Sequence, residues 1–163
     1  MKLPELAQLE RVIAAAGAEL EVRVECTVPH EGEDLPVYVL ALGNPAPDAP
    51  TVGFFGGVHG LERIGAGVVI AFLHSVVARL PWDVAQRALL QQVRLVFMPL
   101  VNAGGMARNT RANPAGIDLM RNAPVDAAGR VPFLVGGQRI SAHLPWYRGR
   151  GRASSRRSSP PVC

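Results

Sequence analysis

The residues best suited to chemistry in this sequence are a histidine and a glutamate three positions apart, in the stretch GGVHGLERIG at residues 56–65. Imidazole and carboxylate groups are common zinc ligands, and residues three apart in a helical turn share one face. Gly56 and Gly57 leave room where the backbone turns and a ligand approaches. His59 and Glu62 are therefore candidate metal ligands. In an alternative reading, His59 only lines a helix and Glu62 stabilises its N-terminus through the helix dipole.

A second group of polar side chains occupies residues 99–124, PLVNAGGMARNTRANPAGIDLMRNAP. The segment contains three arginines and four asparagines but one acidic residue, Asp118. The planar guanidinium group of arginine suits a carboxylate or an oxyanion, whereas asparagine-rich turns also form ordinary solvated loops. Because the segment follows an apolar strand, the pattern favours an anion site.

The elements that position these groups follow from hydrophobic periodicity. Helical spacing of apolar residues predicts a short amphipathic helix over residues 3–16. Residues 20–28 alternate apolar and polar side chains, which is typical of a strand with one solvent-exposed face near a sheet edge. Two more strands are predicted at residues 37–42 and 93–98. The stretch TVGFFGG at residues 51–57 predicts a short strand that is apolar on both faces, and we expect it to be central and buried.

A helix is predicted from Leu61 to Leu80, with one broad apolar stripe and a stop at Pro81. Residues 84–92 add one or two helical turns, and loops follow the last strand up to residue 147. This order predicts an α/β fold with a mixed, mostly parallel central sheet flanked by helices. Ligands bind outside the carboxyl ends of strands in such sheets. If the strands before the two polar segments are parallel neighbours, both segments open onto one crevice.

Charge and hydropathy limit the possible partners and location. The net charge of +4 comes from residues 148–163, which carry five arginines, whereas the rest has 12 Lys and Arg against 13 Asp and Glu. A nucleic-acid-binding role would therefore rest on this tail alone. Glu5 and Glu10 interrupt any signal-peptide core, and no segment is predicted to span a membrane. We therefore expect a cytoplasmic protein with no membrane partner.

Taken together, the two polar segments resemble the zinc carboxypeptidase family, the carboxypeptidase A-like metallopeptidases, which are related to the succinylglutamate desuccinylase and aspartoacylase branch. The family's first zinc motif, HxxE after a central strand, is matched by residues 59–62. Its P-x-x-N-P-x-G loop is matched loosely by residues 99–105. Its R-x-N-x-x-G-x-D-L-N-R-N pattern is matched by residues 111–122, where Met120 is the one departure. The resemblance covers roughly residues 20–147, the N-terminal half of such a catalytic domain.

The resemblance implies a role for each matching residue. His59 and Glu62 would be two of three protein ligands to Zn²⁺, with a water in the open position. Bound zinc would polarise the scissile carbonyl and lower the pKa of that water. Arg111 would stabilise the developing oxyanion, and Arg121 with Asn122 would bind the substrate's terminal carboxylate.

Two further positions of the match bear on the substrate. Asp118 matches an acidic position that orients neighbouring groups or a zinc-bound histidine. Met120 stands where the family has an asparagine that shares the substrate carboxylate with the arginine, and a thioether cannot donate a hydrogen bond. Arg121 alone would then bind the C-terminal carboxylate of the substrate. An alternative function is therefore the deacylation of N-acyl amino acids.

Two family elements have no clear counterpart in the sequence. The third zinc ligand is a downstream histidine, and His143 is the only stand-in, although a packing role beside Pro145 and Trp146 suits it better. The general base is a late glutamate, and no Glu or Asp follows Asp126. We therefore expect weak or absent catalysis from this chain.

Composition divides the chain into two regions. Residues 1–147 are predicted to form the N-terminal part of a zinc carboxypeptidase-like catalytic domain. Residues 148–163 are an Arg- and Ser-rich tail, predicted to be disordered or to result from a frameshift that truncates the domain. Two alternatives remain, a genuine basic tail that binds nucleic acid or acidic partners, and a non-catalytic anion-binding fragment or pseudoenzyme. The expected partner of the catalytic reading is a peptide or N-acyl amino acid substrate.

Overall fold

The computed structural model describes residues 3–122, which form one mixed sheet and the helices packed on it. In chain order the elements are α1 (Pro4–Ala16), β1 (Glu21–His30), β2 (Glu33–Gly43), β3 (Thr51–Phe55), α2 (Arg63–Arg79), α3 (Val84–Leu90), β4 (Arg94–Met98) and α4 (Ala103–Ala107). Short 3₁₀ helices occupy Gly17–Glu19 and Met120–Asn122. The predicted α/β class is confirmed.

The sheet has the strand order β1-β2-β4-β3. β3 runs parallel to β4, whereas β1–β2 and β2–β4 are antiparallel pairs. The sheet is therefore mixed, as expected, but its described part is not mostly parallel. For the β1–β2 pair the reason is local, because Glu31 and Gly32 join the two strands with positive φ angles of 51° and 82°. A two-residue turn of this kind forms a hairpin, which forces its strands to be antiparallel.

The strand positions agree only in part with the sequence expectations. Among the described strands β1 lies at an edge of the sheet, as predicted. The central, buried position expected for β3 is wrong for the described residues, because β3 lies at the other edge and pairs there with β4. Its Val52 and Phe55 are exposed. Apolar composition indicates that a strand needs cover, but it does not say which part of a polypeptide supplies that cover.

The helices form where periodicity places them, with two differences. α1 begins with a proline in its first turn and buries Leu6, Leu9 and Val12, and α2 ends just before Leu80 and Pro81. The buried face of α2 is narrower than the predicted stripe. Ala66, Val69, Ile70, Leu73, Val76 and Val77 are buried, whereas Ile64, Val68 and Phe72 of that stripe are exposed. α4 lies where only loop was predicted, because its five residues are too short to show a period.

One apolar core joins α1, α2, α4 and the sheet. Phe97 of β4 is fully buried in it and stacks on Phe54 of β3, with ring centroids 5.1 Å apart. Within residues 3–122, no single helix is long and apolar enough to cross a membrane. α2 and α3 meet that criterion only as a pair, bent by 111°.

Candidate functional site

The two polar segments meet at the carboxyl ends of β3 and β4. The Gly56 N–H donates to the Met98 carbonyl at 3.1 Å, and the Val101 N–H donates to the Gly56 carbonyl at 3.0 Å. The Asn102 N–H then donates to the Gly57 carbonyl at 2.9 Å. These bonds continue the parallel pairing of β3 and β4 beyond the strands. The condition that the two strands are parallel neighbours is met, and the two loops meet as expected.

Glycines let these loops approach each other closely. A Cβ on Gly60 would collide with the backbone of Gly105 and Met106 in α4. Gly57 adopts φ of +62°, a left-handed conformation that glycine adopts with little strain. The segment that carries His59 is therefore held between the start of α2 and α4 by backbone contacts.

His59 and Glu62 form a close pair in a turn that precedes α2. The Glu62 N–H donates to the His59 carbonyl at 3.0 Å, and Nδ1 of His59 lies 2.7 Å from Oε1 of Glu62. The expected convergence of the two side chains is present, but a turn produces it rather than the first turn of a helix, since α2 begins at Arg63. His59 is buried and the Glu62 side chain is 60% exposed. The pair therefore opens to solvent on the glutamate side.

Asp118 is the centre of the second segment. It is fully buried and receives hydrogen bonds on its Oδ2 from Nε of Arg111 at 2.8 Å and from Nε of Arg121 at 3.1 Å. Its Oδ1 accepts the Met120 backbone N–H at 3.1 Å and lies 3.4 Å from Nε2 of His59. One carboxylate thus contacts both candidate arginines and the candidate metal-binding histidine.

The environment of Asp118 keeps it ionised. Burial acts to raise the pKa of its carboxyl group, but the hydrogen bond and positive charge of Arg111 outweigh that effect, aided by the Arg121 backbone N–H and by His59. The pKa of Asp118 therefore lies below its usual value. The ionised carboxylate bonds both guanidinium groups and faces Nε2 of His59.

The donor set at the turn is of the kind that binds zinc. Nδ1 of His59 and Oε1 of Glu62 face each other, and this combination of imidazole and carboxylate is found in catalytic zinc sites. Nε2 of His59 is buried without a hydrogen bond in favourable geometry, with Asp118 as its charged neighbour. In residues 3–122, however, no group of three or more His, Cys, Asp or Glu side chains is arranged to hold a metal ion.

The other predicted residues fall into three places. Asn122 ends the 3₁₀ helix, and its N–H donates to the Asp118 carbonyl at 3.1 Å. Arg108 is exposed and bonds the Pro114 carbonyl, so it is not among the Asp118 contacts. His143 and the tail at residues 148–163 lie outside the described residues, as does every expectation about them.

Sequence reasoning missed a clamp beside Glu62. NH1 of Arg63 lies 2.7 Å and 2.8 Å from the two carboxylate oxygens of Glu5 in α1, and NH2 donates to the Met106 carbonyl in α4 at 3.0 Å. Arg63 thereby ties α1 and α4 to the start of α2. No local signal could have found this contact, because the paired residues are 58 positions apart.

The capping role of Asn102 was also not predicted. The sequence placed it only among the asparagines of the polar segment, but the structure buries it and makes it the N-cap of α4. A signal for this cap was present, because asparagine is a preferred N-cap residue. It was hidden by the shortness of the helix that it caps.

Comparisons with known proteins agree with this geometry. The family described as zinc carboxypeptidase matches residues 25–155. A metallo-carboxypeptidase from Burkholderia cenocepacia superposes with a TM-score of 0.58 at 24% identity, over 71% of this chain and 31% of that chain. None of the curated protein sequences compared with this chain matches it significantly.

Two further structures resemble the fold over more of the chain. Thrombin activatable fibrinolysis inhibitor superposes with a TM-score of 0.66 at 21% identity, over 94% of this chain and 39% of that chain. The bovine form, solved in complex with tick carboxypeptidase inhibitor, gives 0.65 at 22% identity, over 96% and 50%.

At these identities the structural likeness concerns the fold, and this chain spans at most half of the length of these structures. The family match, in contrast, covers most of the sequence and both polar segments. The chain therefore belongs to the zinc carboxypeptidase family.

Proposed function

We propose that this chain carries the first zinc-binding segment of a hydrolase that cleaves a C-terminal peptide bond, with His59 and Glu62 as metal ligands. The observation that carries the proposal is the 2.7 Å approach of His59 Nδ1 to Glu62 Oε1. Two ligand atoms that face each other at the carboxyl edge of a sheet are placed to share a cation. The family match supports zinc as that cation.

Asp118 supports the proposal from the other side of the imidazole. Without a metal, the 2.7 Å contact between Nδ1 of His59 and Oε1 of Glu62 needs a proton on Nδ1. If a metal took the place of that proton, the ring would carry its proton on Nε2, 3.4 Å from Oδ1 of Asp118, and the charge of Asp118 would favour that tautomer. In that tautomer Nδ1 keeps its lone pair for a metal. Bound zinc would polarise a scissile carbonyl and lower the pKa of a bound water.

The arginines are proposed to act on the substrate. NH1 of Arg111 lies 3.8 Å from Oε1 of Glu62, so its guanidinium borders the space beside the proposed ligands and can stabilise an oxyanion there. Arg121, with Asn122 beside it, is proposed to bind the substrate carboxylate. Both arginines bond Asp118 through Nε, which fixes the planes of their guanidinium groups.

The charges in the cluster make a purely anion-binding role less favourable. Arg111 and Arg121 carry two positive charges, and the Asp118 and Glu62 carboxylates, which lie 2.8 Å, 3.1 Å and 3.8 Å from them, carry two negative charges. The charges of these four side chains therefore cancel one another, and they leave no excess positive charge of their own to attract an anion. A bound divalent cation would give the site that attraction, which supports the metal-dependent reading.

We further propose that this chain alone has weak or absent catalysis. No group of three metal-ligating side chains forms in residues 3–122, and the given sequence has no Glu or Asp after Asp126 to act as the late general base. A peptidase reaction would need a third ligand and a general base in addition to the groups described.

Zinc binding to the full chain tests the proposal. Wild type, His59→Ala, Glu62→Gln and His74→Ala would be titrated with Zn²⁺ in competition with a chromogenic chelator. We expect His59→Ala and Glu62→Gln to weaken binding by at least about tenfold, the scale on which loss of a ligand or its support acts. His74→Ala should bind as wild type does, because His74 is an exposed histidine further along α2. Equal zinc affinity in wild type and His59→Ala would refute the proposal.

Met120 supports a second candidate function, deacylation of N-acyl amino acids. It is 59% exposed beside Arg121, and its thioether offers a substrate carboxylate no hydrogen bond. A longer protein containing this sequence with a complete downstream half would be assayed on a blocked dipeptide and on an N-acyl amino acid. Faster turnover of the N-acyl amino acid would favour the deacylase, and faster turnover of the dipeptide would favour the peptidase.

A further inference from the structure

Asn102 is a buried polar residue that caps a short helix. It is 2% exposed, in the loop between β4 and α4. Its Oδ1 accepts the Gly105 N–H at 2.8 Å, which caps the short α4 helix. Capping uses only the acceptor half of the amide, so it does not explain why the side chain also carries a buried donor.

The donor half of the amide points at the candidate site. Nδ2 of Asn102 donates long hydrogen bonds, each 3.4 Å, to the carbonyls of Val58 and Arg111. Val58 directly precedes His59, and Arg111 is the arginine bound to Asp118. One NH₂ group therefore joins the backbone beside the proposed metal ligand to the backbone of the proposed oxyanion-stabilising arginine.

The main chain of Asn102 strengthens this link. Its N–H donates to the Gly57 carbonyl at 2.9 Å, so main chain and side chain hold adjacent residues of the same loop. The Met106 N–H also donates to the Asn102 carbonyl at 3.0 Å, in the first turn of α4. Nδ2 is thus placed to supply a donor to a carbonyl of each loop at once, in two part-buried hydrogen bonds.

We propose that Asn102 is a positioning residue that sets the separation between His59 and Arg111. The inference rests on the proposed function, because it assumes that these two side chains act together. The described hydrogen bonds of the Asn102 side-chain NH₂ group go to the carbonyls of Val58 and Arg111, so Asn102 acts through the backbone of the two loops. The requirement is for an amide, which accepts from Gly105 and donates to both carbonyls.

Asn102→Asp separates the two halves of the amide. The carboxylate keeps an acceptor for the Gly105 N–H, but it faces the Val58 and Arg111 carbonyls with a negative charge instead of a donor. Asn44→Asp is the matched control, because Asn44 Oδ1 also accepts a backbone N–H, that of Ala46 at 2.9 Å, directly after β2. Asn102→Ser is a second variant, since serine is a good N-cap residue but is too short to span both carbonyls.

Two readouts on the full chain test the positioning role. The first is Zn²⁺ affinity, which we expect Asn102→Asp and Asn102→Ser to weaken by about tenfold, as outer-shell substitutions do. The second is the NMR spectrum of isotope-labelled histidine rings without metal. The His59 ring resonances should shift in both variants, while those of His30 and His74 stay in place. Asn44→Asp should change neither readout.

Different outcomes separate this inference from the proposed function. If either variant folds, binds Zn²⁺ as wild type does and leaves the His59 resonances unmoved, Asn102 is only a cap and the inference is overturned. If wild type does not bind Zn²⁺ but the His59 resonances shift in the variants, the positioning role holds and the proposed zinc function fails. Circular dichroism identifies a variant that has unfolded, and the other variant then decides.

Discussion

Two regions of this molecule lie side by side but differ in how far their side chains find partners within the described residues. The site cluster, defined as His59, Glu62, Arg111, Asp118 and Arg121, has its buried carboxylate bonded to both arginines. The open side, defined as strand β3 together with the α2 side chains Ile64, Val68 and Phe72, leaves apolar surface in water. Ile64 is 84% exposed and Val68 is 63% exposed. The two regions are joined through α2, which starts beside Glu62.

The difference reflects how polar and apolar groups are stabilised. Buried polar groups must find partners close by, so the segments after β3 and β4 supply those partners to each other. Apolar groups are stabilised when their surface is removed from water, and any apolar part of a polypeptide can cover that surface. Within residues 3–122 the site cluster therefore bonds Asp118 to both arginines, whereas nothing described covers the open side. This chain spans at most half of the length of the solved structures that it resembles.

The largest expected effect comes from removing the charge at the centre of the site cluster. Asp118→Asn should lower the free energy of unfolding at pH 7 by about 3 kcal/mol, the lower end of the range for breaking a buried ion pair. The lower end applies because Arg111 and Arg121 retain 28% and 18% exposure and can be partly hydrated. Urea denaturation of both proteins measures the difference.

Asp83→Asn is the matched control for that substitution. The Asp83 side chain accepts the Gln86 N–H as the N-cap of α3, at 2.9 Å, and asparagine can accept the same bond. The change should stay within about 0.5 kcal/mol, because asparagine and aspartate cap helices about equally well. Similar losses in both variants would mean that the Asp118 network adds nothing beyond an ordinary cap, and the contrast between the two regions would fail.

A smaller effect is expected from the glycine packing that closes the site cluster. Gly60→Ala should cost about 2 kcal/mol, because the added Cβ collides with backbone atoms of α4 rather than with a side chain that can move. Gly67→Ala, in the middle of α2, adds the same methyl group where nothing lies within 4 Å. It should stabilise the protein by about 0.5–1 kcal/mol, since alanine is the better helix former. Thermal unfolding of both variants measures the difference, and equal signs would contradict the packing argument.

Much of the fold could be predicted from the sequence because its signals are local. The apolar spacing of α1 and α2 and the alternation in β1 marked elements that the structure contains. The parallel pairing of β3 with β4 was only a condition of the sequence argument, and the structure supplies it. The edge position of β3 could not be predicted, because its composition shows a need for cover without showing what covers it.

The sequence predicted which residues form the candidate site, but not which contacts they make. Residue type and spacing singled out His59 and Glu62, and the structure brings them together. The link from Asp118 to His59 joins residues distant in sequence, and only the family resemblance suggested it. The clamp between Arg63 and Glu5 had no sequence signal at all, because it depends on how α1 packs on α2.

Titration of Asp118 in the site cluster should also make the free energy of unfolding depend on pH. Since the pKa of Asp118 is lowered in the folded state, its contribution is fully present above the unfolded pKa of about 3.9 and is lost as the pH falls through the lower folded value. The stability difference between wild type and Asp118→Asn should therefore not shrink between pH 7 and pH 5, and it should shrink below about pH 4. Urea titrations at each pH measure it. A difference that shrinks between pH 7 and pH 5 would show that Asp118 is not the group responsible.

The smallest effect on folding, but a clear effect on association, is expected on the open side. The double substitution Ile64→Glu and Val68→Lys places an i,i+4 ion pair on α2, with the acidic residue near the helix N-terminus. The free energy of unfolding should change by less than about 0.5 kcal/mol, because neither side chain is buried. Self-association should fall, because the exposed apolar surface and the neighbouring edge strand are the features through which copies of a protein adhere.

Sedimentation velocity over a range of concentrations measures that association, and Leu89→Lys is its control. Leu89 is 56% exposed on α3 and is not part of the open side. If the open side drives association, wild type and Leu89→Lys should associate equally and the double variant should remain monomeric. Equal relief by Leu89→Lys would mean that exposed apolar residues act singly. The exposed apolar side chains of α2 and strand β3 would then not act together as one association surface. The open side would differ from the site cluster only in having apolar instead of polar residues.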